Sequence, residues 1–250
     1  MVEPLFRFDG ALIEGALVDL AGSEGHHAAS VRRMRVGEGI VLTDGAGLRA
    51  RGSVVVVQSK QLSIKIIEVK FETHTQPDFV LVQAIAKGDR DEMAIQACTE
   101  LGVARIRPWQ SNRSISRWDG KEQKNLQRWQ AIVDEASKQS LRVFFPVVEP
   151  VLDSRGLEKH IATSAPLEIF LVLDPTADAS IADEAILRTM ATASKISLIV
   201  GPEGGLDQSE VSAFESAGAM RVNLGTGVLR TSTAGVAAIA FLSGALGKWR

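Results

Sequence analysis

The stretch "ISLIVGPEGGLDQSE", residues 196–210, runs from an apolar segment through three glycines, a proline and a carboxylate into helical spacing. Residues 196–200 read as a buried strand. Asp207 with Glu210 reads as a capping-box start for the next helix. Glycines between a strand and a helix let backbone approach a ligand closely, because no Cβ stands in the way. Two more loops follow strand-like runs in the same half of the chain: "LVLDPTAD" (171–178) and "GTGVLRTSTAG" (225–235). Ligands of open parallel sheets bind at the carboxyl ends of strands. Three such loops therefore predict one pocket.

The common nucleotide fingerprints do not fit. At Gly201 the run is G-P-E-G-G, and at Gly225 Arg230 stands where a third glycine is needed. After Gly225 only 25 residues remain, too few for the second strand and acidic residue of a dinucleotide fold. No P-loop lysine motif occurs.

Outward from these loops, alternation of strand and helix persists back to about residue 79. "FVLVQAIA", "VARIRPW", "LEIFLVLDP", "KISLIV" and "AMRVNLG" read as strands. "DEMAIQACTELG" reads as a helix closed by Gly102. "KEQKNLQRWQAIVDEASKQS" reads as an amphipathic helix burying Leu126, Trp129, Ile132, Val133 and Ala136. The expectation is an α/β fold on a parallel sheet. Earlier residues differ: "GIVLTDGAG", "LRARGSVVVVQ" and "QLSIKIIEVK" are β-branched strands around an Asp44-Gly45 turn. One helix, capped by Ser23 and running to Gly37, interrupts them. These features predict a small β-barrel over residues 1–72 and a second domain over 73–250, joined through the polar "FETHTQPD" at 71–78.

The 250-residue chain is 45% hydrophobic with net charge −2. No run is long enough for a membrane span, and no leader pattern opens the chain. The single cysteine, Cys98, fits a reducing cytoplasm. His26, His27, His74 and His160 lack metal-ligand spacing, so no metal is expected. Residues 105–142 carry nine basic against four acidic groups, a local +5 suited to phosphates or to a solvated helix face.

The paired "LIVGPEGGL" and "LGTGVLRTSTA" resemble the C-terminal motifs of the 16S ribosomal RNA uracil-N3 methyltransferases of the SPOUT class. "HHAASVRRMRVGEGIVLTDGAG", "AIAKGDRDEMAIQACTELGVARIRPWQSNRSI" and "RWQAIVDEASKQSLRVFFPVVEP" are similar to further family segments, so the resemblance spans nearly the whole chain. Thr226-Gly227 and Ser232 depart from the family's usual Pro-Arg and Glu.

The resemblance implies an N-terminal PUA-like barrel and a C-terminal α/β domain with a trefoil knot. It implies S-adenosylmethionine as cofactor, 16S rRNA or the assembled small subunit as partner, and a cytoplasmic homodimer. The implied product is N3-methylated uridine 1498 in the usual ribosomal numbering. Leu173, Gly201, Gly204, Gly205, Leu224, Gly225, Val228, Leu229, Thr231 and Ala234 are the expected donor-binding residues. Arg230 is the expected catalytic residue, meeting the uracil anion, with an ion pair to Glu203 as the alternative. Glu203, Asp174 and Glu135 are the candidate bases. Arg7, Arg32, Arg33, Arg35, Arg113, Arg117 and Arg142 are the expected RNA contacts. Two other readings stay open: a SPOUT enzyme acting on another base or on a ribose 2′-hydroxyl, and a non-catalytic RNA-binding protein.

Overall fold

A computed structural model describes residues 2–249. By internal contacts the chain forms two units. One is residues 2–74 together with Ser137–Phe145, and the other is Thr75–Ala136 with 146–249.

The first unit is a five-stranded sheet of β1 (Leu5–Arg7), β2 (Leu17–Leu20), β3 (Gly39–Thr43), β4 (Leu48–Gln58) and β5 (Gln61–Phe71), in the order β1-β3-β4-β5-β2. β1 runs parallel to β3, and the other pairs are antiparallel. Alternation sends Leu62, Ile64 and Ile66 of β5 into a core with Phe6, Leu20, Ile40 and Leu42. The expected turn at Asp44-Gly45 forms: the Asp44 carboxylate accepts the amides of Ala46 and Leu48 at 2.7 and 3.1 Å, and Gly45 has φ +78°.

The helix of this unit differs from expectation. α1 spans only Gly22–His26, with Ala21, not Ser23, at the N-cap and no side-chain cap. One π-helical turn, His27–Val31, follows. The chain then leaves helical geometry, with Arg33 at φ 54°, well before Gly37. α1 packs tightly at Gly25, where a Cβ would lie 2.4 Å from the Leu20 carbonyl oxygen and 2.6 Å from that of Lys60.

Nothing in the pattern of residues 137–145 announced that they complete this unit. Val143 packs on Leu5 and Val41, and its carbonyl accepts from the Thr43 hydroxyl at 3.3 Å. Arg49 donates to the Leu141 carbonyl at 3.0 Å, and Lys138 pairs with Glu24 at 2.7 Å.

The second unit alternates β6 (Asp78–Ala84), α2 (Arg90–Glu100), β7 (Arg105–Gln110), α3 (Glu122–Gln139, of which the residues from Ser137 on belong to the first unit), β8 (Val147–Val148), β9 (Leu152–Asp153), α4 (Ser154–Thr163), β10 (Glu168–Leu173), α5 (Glu184–Ala191), β11 (Lys195–Val200), α6 (Gln208–Ser216), β12 (Met220–Val222) and α7 (Thr231–Ala245). Every pair in its sheet is parallel, in the order β12-β10-β11-β6-β7-β8, with β9 also on β7. Trp129 and Val133 of α3 join the core, with Leu126 and Ile132 partly buried beside them.

β12 lies at one edge, yet the helix after it packs on α2, β6 and β11 near the middle. Residues 223–230 therefore return across the ends of β10 and β11. α7 comes very close to its neighbours, since a Cβ on Gly235 would lie 2.7 Å from Leu81 Cδ1 and 3.5 Å from Cys98 Sγ.

A buried carboxylate shapes the turn after β6. Asp91, 4% exposed, accepts the Ala86 amide at 3.1 Å and the Glu92 amide at 2.8 Å. Burial outweighs these donors and raises its pKa from 3.8 to about 6. The folded state therefore holds this proton more tightly than the unfolded chain. Its contribution to stability is full below about pH 4 and is lost as pH rises through 6. Relative to Asp91→Asn, the unmodified chain should lose roughly 2–3 kcal/mol between pH 4 and 7. Urea unfolding of both proteins across that range checks this, and parallel curves would refute it.

Candidate functional site

The carboxyl ends of β10 and β11 and the returning segment enclose a cavity of about 620 Å³. Of the residues singled out from the sequence, Leu173, Gly201, Gly205, Val228, Leu229, Arg230, Thr231 and Ala234 line it. Leu224 lines a smaller recess of about 40 Å³ shared with Leu173, Asp174, Leu229 and Ala234. Gly204 and Gly225 line neither. Gly204 instead packs on backbone, since its added Cβ would lie 3.0 Å from the Arg113 carbonyl oxygen. Gly225, at φ 104°, turns the chain with its amide on Asn223 Oδ1 at 3.0 Å.

One hydroxyl ties three segments together beneath this cavity. The Thr231 hydroxyl donates to the Gly201 carbonyl at 2.8 Å. It accepts from Gln83 Nε2 at 2.9 Å. Gln83 sits fully buried on β6, where the neighbours from Phe79 to Ala84 are otherwise apolar. Sequence reasoning passed over it, although one amide inside a central apolar strand was the available signal.

The carboxylates are committed. Asp174, 7% exposed, accepts from the Thr176 amide and hydroxyl, both at 2.8 Å, and pairs with Arg221 at 3.3 Å. Glu203 accepts the Lys87 amide at 2.9 Å and faces Arg90 at 3.4 Å, so its ion-pair partner is Arg90 and not Arg230. The other Glu203 oxygen is enclosed without a hydrogen-bond partner. Glu135, on the exposed side of α3, does not line the cavity. Asp207 caps α6, and hydrogen bonds from the Ser209 hydroxyl and then from the Ser209 amide at 2.9 Å hold its carboxyl below the usual range. Glu210 does not complete the capping box. Its buried carboxylate accepts instead from the Asn112 amide at 2.7 Å and the hydroxyls of Ser111 and Ser154, because three donors converge there.

Arg230 is exposed at the N-cap of α7, with no side-chain hydrogen bond or ion pair among the described residues. Arg90 and Arg113 also line the cavity, about half exposed, and Arg90 went unnoticed in the sequence.

The other expected RNA contacts scatter. Arg32, Arg33, Arg35 and Arg117 are exposed. Arg7 pairs with Asp9 at 3.4 Å and lies over the Phe145 ring. Arg142 is half-buried with an enclosed Nε, and burial pushes its pKa down against the pull of Glu72. Among the described residues no group of His, Cys, Asp and Glu could hold a metal ion.

The family model described as the RNA methyltransferase domain matches residues 74–243, and the RNA methyltransferase PUA domain matches residues 20–67. The ribosomal RNA small subunit methyltransferase E of Mycobacterium tuberculosis is 37% identical, over 100% of this chain and 94% of its own length. That of Bacillus subtilis is 30% identical, over 92% and 91%. The crystal structure of the Neisseria gonorrhoeae enzyme of the same name, bound to S-adenosyl methionine, superposes with a TM-score of 0.86 at 30% identity, covering 97% of this chain and 98% of that one.

Thr231→Val keeps the shape but leaves Gln83 Nε2 short of one partner and the Gly201 carbonyl without its donor. The expected loss is about 1–3 kcal/mol in urea unfolding. An unchanged midpoint would show that the hydroxyl holds nothing together.

Proposed function

The chain belongs to the RNA methyltransferase family that carries an N-terminal PUA domain, and from that membership we propose that it methylates small-subunit ribosomal RNA at N3 of one uridine, with S-adenosylmethionine as donor. The target is uridine 1498 in the usual ribosomal numbering. The observation that carries the reading is the cavity, where an unpaired guanidinium, Arg230, stands beside a strand-end pocket walled by glycine backbone and by Leu173, Val228 and Leu229.

The cavity's volume falls within the roughly 300–1,000 Å³ of small-molecule sites. Its apolar side chains and open backbone suit a flat purine with a flexible tail. When bound, S-adenosylmethionine supplies an electrophilic methyl carbon on a sulfonium sulfur.

The residues must orient uracil N3 in line with that carbon. Neutral N3 has no free lone pair in the ring plane, so its proton must leave as the new N–C bond forms. Negative charge then spreads over O2, N3 and O4 until the methyl group is in place. Arg230, permanently charged and able to bridge two acceptors, is assigned to stabilise it. Asp174 and Glu203 already hold other partners, so Arg230 contributes by favouring loss of the proton to water.

Gly201, Gly205, Leu173, Leu224, Val228, Leu229 and Ala234 are assigned to donor binding. Gly204 and Gly225 shape the loops, and Thr231 fixes them. Arg7, Arg32, Arg33, Arg35 and Arg117 are assigned to RNA phosphates. A homodimer accords with exposed Val228, Leu229 and Phe241. Among the described residues no helix is long and apolar enough to cross a membrane.

The test incubates the protein with S-adenosylmethionine and small subunits from a strain lacking this modification, then maps the product by mass. A methyl group on the uracil ring is expected; one on a ribose, or none, would overturn the reading. Arg230→Ala should lower single-turnover kcat about 10²–10³-fold with little change in donor affinity. Arg230→Lys should recover only part of the rate. A normal rate with weakened donor binding would make Arg230 a wall of the pocket instead.

A further inference from the structure

Arg90 and Arg113 come from different segments, the start of α2 and the stretch after β7, yet both meet one loop at successive residues. Arg90 faces the Glu203 carboxylate at 3.4 Å, and Arg113 donates toward the Gly204 carbonyl at 3.5 Å. Arg113 also pairs with Asp207 at 3.4 Å. Each guanidinium is therefore fixed on one side, while 49% and 48% of its side-chain surface stays in solvent at the cavity edge.

Glu203 is itself immobilised by the Lys87 amide, so the carboxylate that orients Arg90 does not swing. Asp207 is held below the usual carboxylate range, so it stays ionised beside Arg113 through the neutral range. An anchored, half-exposed guanidinium keeps donors free for an outside acceptor and loses little side-chain entropy when it meets one.

We propose that Arg90 and Arg113 form a two-point clamp for RNA phosphates next to the target nucleotide, holding the strand over the methyl-donor cavity. This rests on the methyltransferase reading and names how that site takes its macromolecular substrate. The alternative anion, the carboxylate of the donor's own methionine tail, is disfavoured because both guanidiniums are about half exposed at the cavity and are already held by Glu203, Gly204 and Asp207. Glu203 becomes a positioning residue that acts through Arg90 and the Lys87 amide, not a base.

The test uses Arg90→Gln, Arg113→Gln and the double variant of the full chain, each checked by thermal melting. Equilibrium binding to a fluorescein-labelled fragment of small-subunit ribosomal RNA is measured across salt concentrations, and donor affinity separately by calorimetry. Each single variant should weaken RNA binding roughly tenfold and reduce the log–log salt slope by about 0.7–0.9. Donor affinity should stay within about twofold. Unchanged RNA affinity and slope would overturn the clamp. A matching loss in donor affinity would also overturn it and assign the arginines to the donor's carboxylate. Should the unmodified chain bind RNA with the expected arginine dependence but transfer no methyl group, the clamp stands and the enzymatic reading falls.

Glu203→Gln provides the positioning control. The glutamine carbonyl still accepts the Lys87 amide, but the charge facing Arg90 is gone. RNA affinity should fall while the pH profile of kcat keeps its shape. Loss of an acidic limb from that profile would make Glu203 a base and refute its positioning role.

Discussion

The hydroxyl of Thr231 is the smallest group on which the second unit depends. It joins Gln83 on the central strand, the Gly201 carbonyl at the end of β11, and the first turn of the last helix. The chain before it has crossed from the edge strand β12 back toward the middle of the sheet, and such a return needs a fixed point. A buried amide supplies one because it cannot afford to lose its partner: an unpaired buried donor costs more than the bond gains. The same constraint places the cavity, because Gly201 and Thr231 are at once members of this chain of bonds and part of its wall.

The local chemistry around that point favours rigidity. Glu203 holds the turn after β6, Asp174 is locked by Thr176 and Arg221, and Glu210 gathers three donors from two other segments. Nearly every carboxylate around the cavity is spent on geometry. The arginines are left with surface to spare, and a site arranged this way presents positive charge to the solvent side.

Strands and helices of the second unit were legible because parallel strands buried on both faces leave continuous apolar runs, as in "KISLIV" and "FVLVQAIA". The cavity was legible from where glycines fall relative to strand ends. What lay hidden was partnership. Glu210 stands at the spacing of a capping box, yet it turned toward Asn112, about a hundred residues away. Gln83 looked like an exception in an apolar run, and only Thr231, distant in sequence, explains it. Arg33 gave no sign of its left-handed backbone, which follows the π-helical turn at His27–Val31. Local patterns reveal what a residue prefers; contacts across long stretches of sequence decide what it receives.

The nine residues Ser137–Phe145 have a bearing on how the protein is made. They pack into the unit formed by the first 74 residues, so that unit spans more than half the length of the chain. During synthesis the N-terminal sheet emerges from the ribosome lacking Val143, the Thr43 partner and the acceptor for Arg49. It cannot close until α2, β7 and α3 have also been translated. Maturation of the two units is therefore interleaved in time, and a gene truncated near residue 72 would encode a sheet whose Leu5 and Val41 lack their Val143 neighbour.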